Sequence, residues 1–163
     1  MTYPLARRYA KALYDLAKDQ NQVDRVAEEI TQLRETIEKS AEFSRFLKSP
    51  TFVAQKRAAI LKEIFNHKFS TLTFKFILLV NEKGRLNILK DICGAFQLFY
   101  LKDKGIVRAK IVSRIALTEK QILAVCDHLK NFFQKDIEPQ LVIDPHILGG
   151  IKVQVEDKVF DYR

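Results

Sequence analysis

The sequence is poor in the features from which disulfide frameworks, metal sites and membrane spans are built. Cysteine occurs only twice, at Cys93 and Cys126, without a CxxC pair or a histidine at ligand spacing, so we expect two buried thiols and no metal site. Apolar runs such as Phe76–Val80 fall far short of the roughly 20 residues that cross a bilayer. The N-terminus has no apolar signal-peptide core. These absences favour a globular protein that is cytosolic or peripherally attached to a membrane.

The chain also lacks the groups that enzymes bring together for catalysis, such as a nucleophile beside a base, paired carboxylates or a phosphate-binding glycine loop. Its three histidines are dispersed along the chain: His67, His128 and His146. The pair Gly149 and Gly150 has no third glycine, lysine or following helix, which favours a tight turn. Neighbouring carboxylates at 28–29 and 156–157 point in different directions on a helix or a strand. We therefore expect no active site, no cofactor and no small-molecule substrate, and an unrecognised hydrolase would have to show turnover.

Positive charge is concentrated in the first part of the chain. The net charge is +8, and residues 1–105 hold 19 Lys and Arg against 12 Asp and Glu, whereas residues 106–163 hold 9 against 8. Such a bias favours nucleic acid, anionic lipid or an acidic protein as partner, or reflects a solvated surface. Because the lysines are dispersed and the phenylalanines follow apolar stripes, we expect no nucleic-acid partner. A basic nucleic-acid-binding adaptor is the alternative, and salt-dependent binding to random DNA or RNA would favour it.

Apolar residues recur at helical spacing through the first 105 residues. Ser49 and Pro50 mark a break, because proline interrupts a helix or begins the next one at its first turn. Gly84 and Gly105 are expected to end helices. The spacing predicts six helices, at about 5–19, 22–39, 42–47, 53–66, 70–83 and 86–103.

After Gly105 the apolar period changes from that of a helix to that of a strand. A half-buried strand is predicted at 107–115, and Thr118 with Gln121 forms a capping-box pattern that opens a helix. A short strand near 140–143 and a last alternating segment from 151 to 160 follow. The predicted fold is mainly α, with a six-helix N-terminal bundle at 1–105 and a small α/β domain at 106–163, in which a mixed sheet packs with one helix.

The first predicted helix carries two apolar stripes side by side. At 100° per residue one stripe contains Leu5, Tyr9, Ala12 and Leu16, and the other contains Ala6, Ala10, Leu13 and Ala17. Together with Tyr14 they cover roughly 200°, about twice the arc that a helix needs to face one core. Residues 74–80 are similarly apolar nearly all the way around. If the first and fifth helices are neighbours, the spare stripes form a groove for a helix of another protein; the alternative is burial inside the bundle.

Five segments of the chain resemble one known family in their order and spacing. They are LARRYAKALYDLA at 5–17, FLKSP at 46–50, NEKGRLNIL at 81–89, KGIVRAKIVSRIAL at 104–117 and DPHILGGIKVQVEDKVFD at 144–161. The resemblance is to the δ subunit of bacterial and chloroplast ATP synthases, called the oligomycin-sensitivity-conferring protein in mitochondria. It covers nearly the whole chain, although family members usually continue past the last strand motif with a further helix whereas this chain stops at Arg163.

The resemblance implies a non-catalytic stator subunit, present as one copy per complex and monomeric in isolation. Its N-terminal domain is expected to grip the N-terminal helix of an α subunit, and its C-terminal domain to meet the b subunits of the peripheral stalk. Tyr9, Ala12 and Leu79 are carried over by position as groove residues, and periodicity adds Leu5, Leu16 and Phe76. The C-terminal signature comprises Asp144, Gly149, Gly150, Asp157 and Asp161. The implied location is the cytoplasmic face of the bacterial plasma membrane, or the stromal or matrix side in organelles.

Overall fold

The structure, a computed structural model, describes residues 4–155 and 158–162, apart from the side chains of Lys158 and Tyr162. The chain separates into two compact units, Met1–Tyr100 and Leu101–Arg163. In the described residues the α-helices are α1 Pro4–Asp19, α2 Val23–Lys39, α3 Ala41–Lys48, α4 Ala54–Phe65, α5 Thr71–Glu82, α6 Leu89–Asp103 and α7 Glu119–Phe133. The strands are β1 Ile106–Ser113, β2 Asp136–Ile143, β3 Ile151–Val155 and β4 Lys158–Tyr162. The predicted class, mainly helical with a small mixed sheet, is confirmed.

Helix boundaries in the first unit follow local signals in the sequence. The break expected near Pro50 lies between α3 and α4. Gly84 follows the end of α5 with a φ of 69°, a left-handed conformation that glycine adopts without strain, and the Arg85 N–H donates to the Val80 carbonyl across this turn. From residue 4 onward six α-helices precede β1, and a short 3₁₀ turn, Leu86–Ile88, leads into α6 where the sequence predicted uninterrupted helix.

The helical unit has a continuous apolar core to which all six of its helices contribute. Aromatic side chains connect its parts: the rings of Tyr14 and Phe96 lie 5.4 Å apart, and those of Phe43 and Phe65 lie 5.6 Å apart. Both pairs are inclined rather than parallel, which is a favourable arrangement for aromatic quadrupoles. Burial of these large side chains supplies the main stabilisation of the helical unit.

The second unit is a four-stranded sheet with α7 packed on one face. The strand order is β2-β1-β3-β4, with β1 parallel to β2 and antiparallel to β3, and with β3 antiparallel to β4. The Thr118–Gln121 capping box forms at the start of α7, as predicted. The core is small and consists of Ala109, Ile111, Leu129, Val153 and Val155, with half-buried apolar neighbours.

The strand predicted near 140–143 and the alternating segment predicted from 151 to 160 do form strands, but their bounds were wrong. Strand β2 begins at Asp136, four residues before the predicted start, and contains Pro139. The proline is tolerated because β2 is an edge strand, where a residue without a backbone N–H can be accommodated. The segment predicted to continue from 151 to 160 forms two strands, β3 and β4, paired with Val153 opposite Phe160. Alternation of apolar and polar residues does not distinguish one long strand from a hairpin, since both arms keep the same period.

Cys93 lies fully buried in the helical unit, whereas Cys126 is half-buried. Desolvation of the thiolate raises the pKa of Cys93 from 9.0 to about 12, although Arg34 nearby lowers it in part. Above pH 9 the unfolded chain therefore loses this proton while the folded chain keeps it, so stability is retained below pH 9 and declines as the pH rises toward 12.

We expect the Cys93 thiol to lower the free energy of unfolding by about 1.4 kcal/mol between pH 8 and pH 10. Urea unfolding of the wild type and of Cys93→Ala at both pH values measures the effect. The cavity left by the variant lowers its free energy of unfolding by the same amount at each pH. The difference in unfolding free energy between wild type and variant should therefore be smaller at pH 10 than at pH 8. An equal pH dependence in both proteins would contradict the assignment.

Candidate functional site

Helix α1 presents its two apolar stripes to different surroundings. The stripe of Ala6, Ala10, Leu13 and Ala17 is buried in the helical core. In the other stripe Leu5 and Tyr9 are only half-buried, Ala12 is exposed, and Leu16 retains 45% of its accessible surface. The described part of the helical unit therefore leaves an apolar face of α1 uncovered.

This uncovered face forms one wall of an open groove between α1 and α5 of about 940 Å³. All six groove residues expected from the sequence line it: Leu5, Tyr9, Ala12, Leu16, Phe76 and Leu79. The rings of Tyr9 and Phe76 meet edge to face with their centres 6.5 Å apart, so α1 and α5 are neighbours at the floor of the groove. The predicted groove required the first and fifth helices to be neighbours, and this contact confirms that they are.

Helix α5 divides its apolar residues in the same way as α1. Ile77 and Val80 are fully buried in the core, whereas Leu79 is 42% exposed and lines the groove together with the buried Phe76. Leu72, one helical turn before Phe76, continues this wall. The apolar surface that surrounds α5 thus serves both the interior of the unit and the groove.

The N-terminus of α5 is attached to α2 through a buried carboxylate. Glu29, only 6% exposed, accepts hydrogen bonds from the Ser70 backbone N–H, from the Ser70 hydroxyl at 2.7 Å and from the Thr73 hydroxyl at 3.1 Å. A negative charge at this position also interacts favourably with the positive end of the helix dipole. Because Ser70 and Thr71 line the groove, Glu29 positions one end of its wall.

Basic side chains are the charged groups that line the groove. Arg8 on α1, Arg25 on α2 and Lys75 on α5 are all exposed, and the lining residues include no carboxylate among those that the structure describes. From Leu5 to Leu16 the wall on α1 extends about 17 Å, or three helical turns. An elongated apolar cleft of this length suits the apolar face of a helix.

The signature loop of the second unit is organised by hydrogen bonds and by glycine conformation. The Asp144 carboxylate accepts the His146 N–H at 2.9 Å, and the Asp144 N–H donates to the Ser113 carbonyl. Gly149 and Gly150 lie in a bend with φ values of 129° and 74°, conformations that side chains disfavour. Asp161 lies on β4 and is exposed, and Asp157 falls outside the described residues.

Three large apolar residues next to this loop and at the end of the sheet are exposed: Ile115, Ile143 and Leu148. Ile115 is 72% exposed and Leu148 is fully exposed. Ile143 pairs with Ser113 at the end of β1, and Ser113, Ile115 and the two glycines line a shallow pocket of about 440 Å³. We call Ile115, Ile143 and Leu148 the apolar end of the sheet.

Within residues 4–155 and 158–162, no group of three His, Cys, Asp or Glu side chains is placed to hold a metal ion. Of the helices in these same residues, none combines the length and the hydropathy that a membrane crossing requires.

Comparison with known proteins identifies the family. A family sequence model described as ATP synthase delta (OSCP) subunit matches residues 5–163. The chain belongs to the ATP synthase delta (OSCP) subunit family. Its similar proteins include the delta subunit of Chlorobium phaeobacteroides (strain BS1), 32% identical over 96% of this chain and 87% of that protein. The delta subunit of Caulobacter sp. (strain K31) is 35% identical over 95% of this chain and 85% of that protein.

Solved structures share the fold of this delta (OSCP) family member. A chain of the Toxoplasma gondii mitochondrial ATP synthase hexamer superposes with a TM-score of 0.84 at 24% identity, covering 98% of this chain and 91% of that one. A chain of the Polytomella F-ATP synthase gives a TM-score of 0.57 at 22% identity, covering 64% of this chain and 92% of that one. The resemblance drawn from the five sequence motifs is confirmed.

Three features of the groove in this delta (OSCP) family member were missed by sequence reasoning: Leu72, Glu29 and Arg25. Leu72 belongs to the same helical stripe as Phe76 and Leu79, so its spacing was an available signal. Glu29 interrupts the apolar stripe of α2 between Val26 and Leu33, and a carboxylate at such a position indicates a buried hydrogen-bonding role. The contribution of Arg25 had no signal, because it depends on how α2 packs beside α1 and α5.

Proposed function

We propose that this protein is a non-catalytic stator subunit of an F-type ATP synthase. It links the catalytic head to the peripheral stalk, so that the head does not turn with the rotor while proton flow drives ATP synthesis. The observation that carries the proposal is the open groove between α1 and α5, which is lined on α1 by the exposed Ala12 and Leu16 and on α5 by the exposed Leu79. Family membership supports the N-terminal helix of an α subunit as the proposed occupant of this groove.

The groove has the properties required for tight, passive binding. The subunit must withstand torque without doing chemistry, so its task is to hold partners at two places. Affinity in the groove comes from apolar area removed from water, at about 25 cal/mol per Å² before the costs of association. Ala12 provides a small side chain in the middle of the α1 wall, where a second helix approaches closely.

The second unit is proposed to contact the b subunits of the peripheral stalk. The apolar end of the sheet supports this assignment, because Ile115, Ile143 and Leu148 are exposed and lie around the signature loop. Several large exposed apolar residues near one loop are typical of protein–protein contacts. Two separate apolar surfaces, one in each unit, match the two attachments that a linking subunit needs.

The proposal places one copy of the chain in each complex, as a monomer before assembly. It lies at the membrane through its partners, on the cytoplasmic face in a bacterium or on the stromal or matrix side in an organelle. It binds neither a nucleic acid nor a small-molecule substrate, and it contributes no catalytic group to ATP synthesis.

A pull-down with the isolated catalytic head tests the proposal. The tagged full chain should retain the head, and a peptide of the α-subunit N-terminal segment should compete it away. A C-terminal b-subunit fragment, added separately, should be retained in the presence of the α peptide, since the two surfaces lie in different units. Failure to retain the head, or retention that excess α peptide leaves unchanged, would contradict the proposal.

A further inference from the structure

We propose that the α1–α5 groove selects an amphipathic helix with an acidic rim, meaning a helix whose apolar stripe is flanked by aspartate or glutamate. Those carboxylates pair with Arg8, Arg25 and Lys75 of this chain. The inference rests on the proposed function, because it describes the chemistry of the partner that occupies the same groove.

The three basic groups are available to a partner. Arg8, Arg25 and Lys75 are exposed and come from three different helices. Among the ion pairs that join described residues, none includes any of the three. Their charges are therefore not neutralised inside the unit and project a positive potential along the groove.

The carboxylates near these charges, including Asp24 and Glu28 beside Arg25 on α2, do not line the groove. Glu29 is buried behind the wall and its oxygens are occupied by Ser70 and Thr73. Asp15 pairs with Lys11 at 3.2 Å. Asp19 and Glu82 are the last residues of α1 and α5, and neither lines the groove.

The combination of an apolar floor and a basic rim favours a protein helix over other anionic partners. Leu5, Leu16 and Leu79 supply aliphatic surface for the apolar side chains of a helix. The aromatic rings that line the groove pack against other rings of the unit, Tyr9 against Phe76 and Phe69 against Phe65, which disfavours the base stacking that a nucleic acid needs. The basic groups then act at the edges of the contact, where they orient the incoming helix and accelerate association. The sequence provided no reason for the positive charge of the first unit. The three basic groups along the groove account for part of it.

Two synthetic helical peptides with one shared apolar stripe, flanked by glutamate in one and by lysine in the other, test the inference with the full chain. Exposed ion pairs contribute about two- to fivefold each to affinity, so three pairs should favour the glutamate peptide by roughly tenfold or more in 0.05 M salt. In 1 M salt, where the screening length falls to about 3 Å, the two peptides should bind within about threefold of each other. Calorimetric titration measures both values.

The variant with Arg8→Gln, Arg25→Gln and Lys75→Gln should lose the preference for the glutamate peptide. Its matched control, with Arg45→Gln, Arg85→Gln and Lys62→Gln, removes two arginines and one lysine at exposed positions outside the groove and should keep the preference. Equal loss in both variants would assign the effect to net charge and overturn the inference. Glutamate-peptide affinity unchanged by Ala12→Trp would place binding outside the groove and would also overturn it.

The α-subunit peptide, titrated in parallel, separates this inference from the proposed function. If the α peptide binds tightly and neither salt nor the groove variant weakens its binding, the proposed selection for an acidic helix is overturned. The proposed function would still stand. If the groove binds the glutamate peptide but not the α peptide, the selection for an acidic helix is supported and the proposed stator function is contradicted. Tighter binding of random single-stranded DNA than of either peptide, lost in the groove variant, would overturn the helix as occupant.

Discussion

Replacement of Ala12 with tryptophan is expected to weaken binding of the α-subunit N-terminal peptide by about 2 kcal/mol or more, roughly 30-fold in Kd. Ala12 lies exposed on the α1 wall of the groove, and the larger ring fills space that a docked helix needs. The free energy of unfolding should change by only about 0.5 kcal/mol, because an exposed position imposes no internal packing constraint. Peptide titration and urea unfolding measure the two effects.

Two further tryptophan variants separate the groove stripe from the core stripe. Ala59→Trp makes the same change at an exposed position of α4 outside the groove and should leave both measurements unchanged. Ala10→Trp, on the fully buried stripe of α1, should destabilise the fold by about 3 kcal/mol or prevent folding. If Ala12→Trp binds the α-subunit peptide with an unchanged Kd, the groove is not the binding site for that peptide.

Removal of the Glu29 carboxylate is expected to produce the largest loss of stability outside the apolar core. Glu29→Ala deletes an acceptor shared by three donors and leaves the N-terminus of α5 without its link to α2. Hydrogen bonds to charged groups contribute about 1.5–3 kcal/mol, and buried donors left without an acceptor add their own cost. We expect the free energy of unfolding to fall by about 3 kcal/mol, as measured by urea denaturation.

Glu28→Ala is the matched control, since Glu28 is the exposed neighbour of Glu29 on the same helix. Its effect should stay within about 0.5 kcal/mol. Glu29→Gln keeps the shape of the side chain and one carbonyl oxygen, and the Ser70 and Thr73 hydroxyls can turn to accept from its amide. Its loss of unfolding free energy should therefore lie between those of Glu28→Ala and Glu29→Ala. Equal stability of Glu29→Ala and Glu28→Ala would show that the link between α2 and α5 contributes nothing.

Much of the secondary structure was predictable because its signals are local. The break at Pro50, the end of α5 before Gly84 and the capping box at Thr118 each depend on a few adjacent residues. The two strand errors arose where local pattern is not decisive. Pro139 is accommodated because β2 lies at the edge of the sheet. Strands β3 and β4 pair with each other, which alternation does not distinguish from one longer strand.

The sequence by itself determined that α1 has more apolar surface than one core requires, since the angular positions of Leu5, Tyr9, Ala12 and Leu16 follow from helix geometry alone. Only the tertiary structure decided which stripe is buried, that α5 borders the other, and that Glu29 holds the start of α5. Periodicity specifies the direction of a side chain relative to its own helix axis. Which neighbour covers that direction depends on packing among residues far apart in the chain, as in the contact between Tyr9 and Phe76.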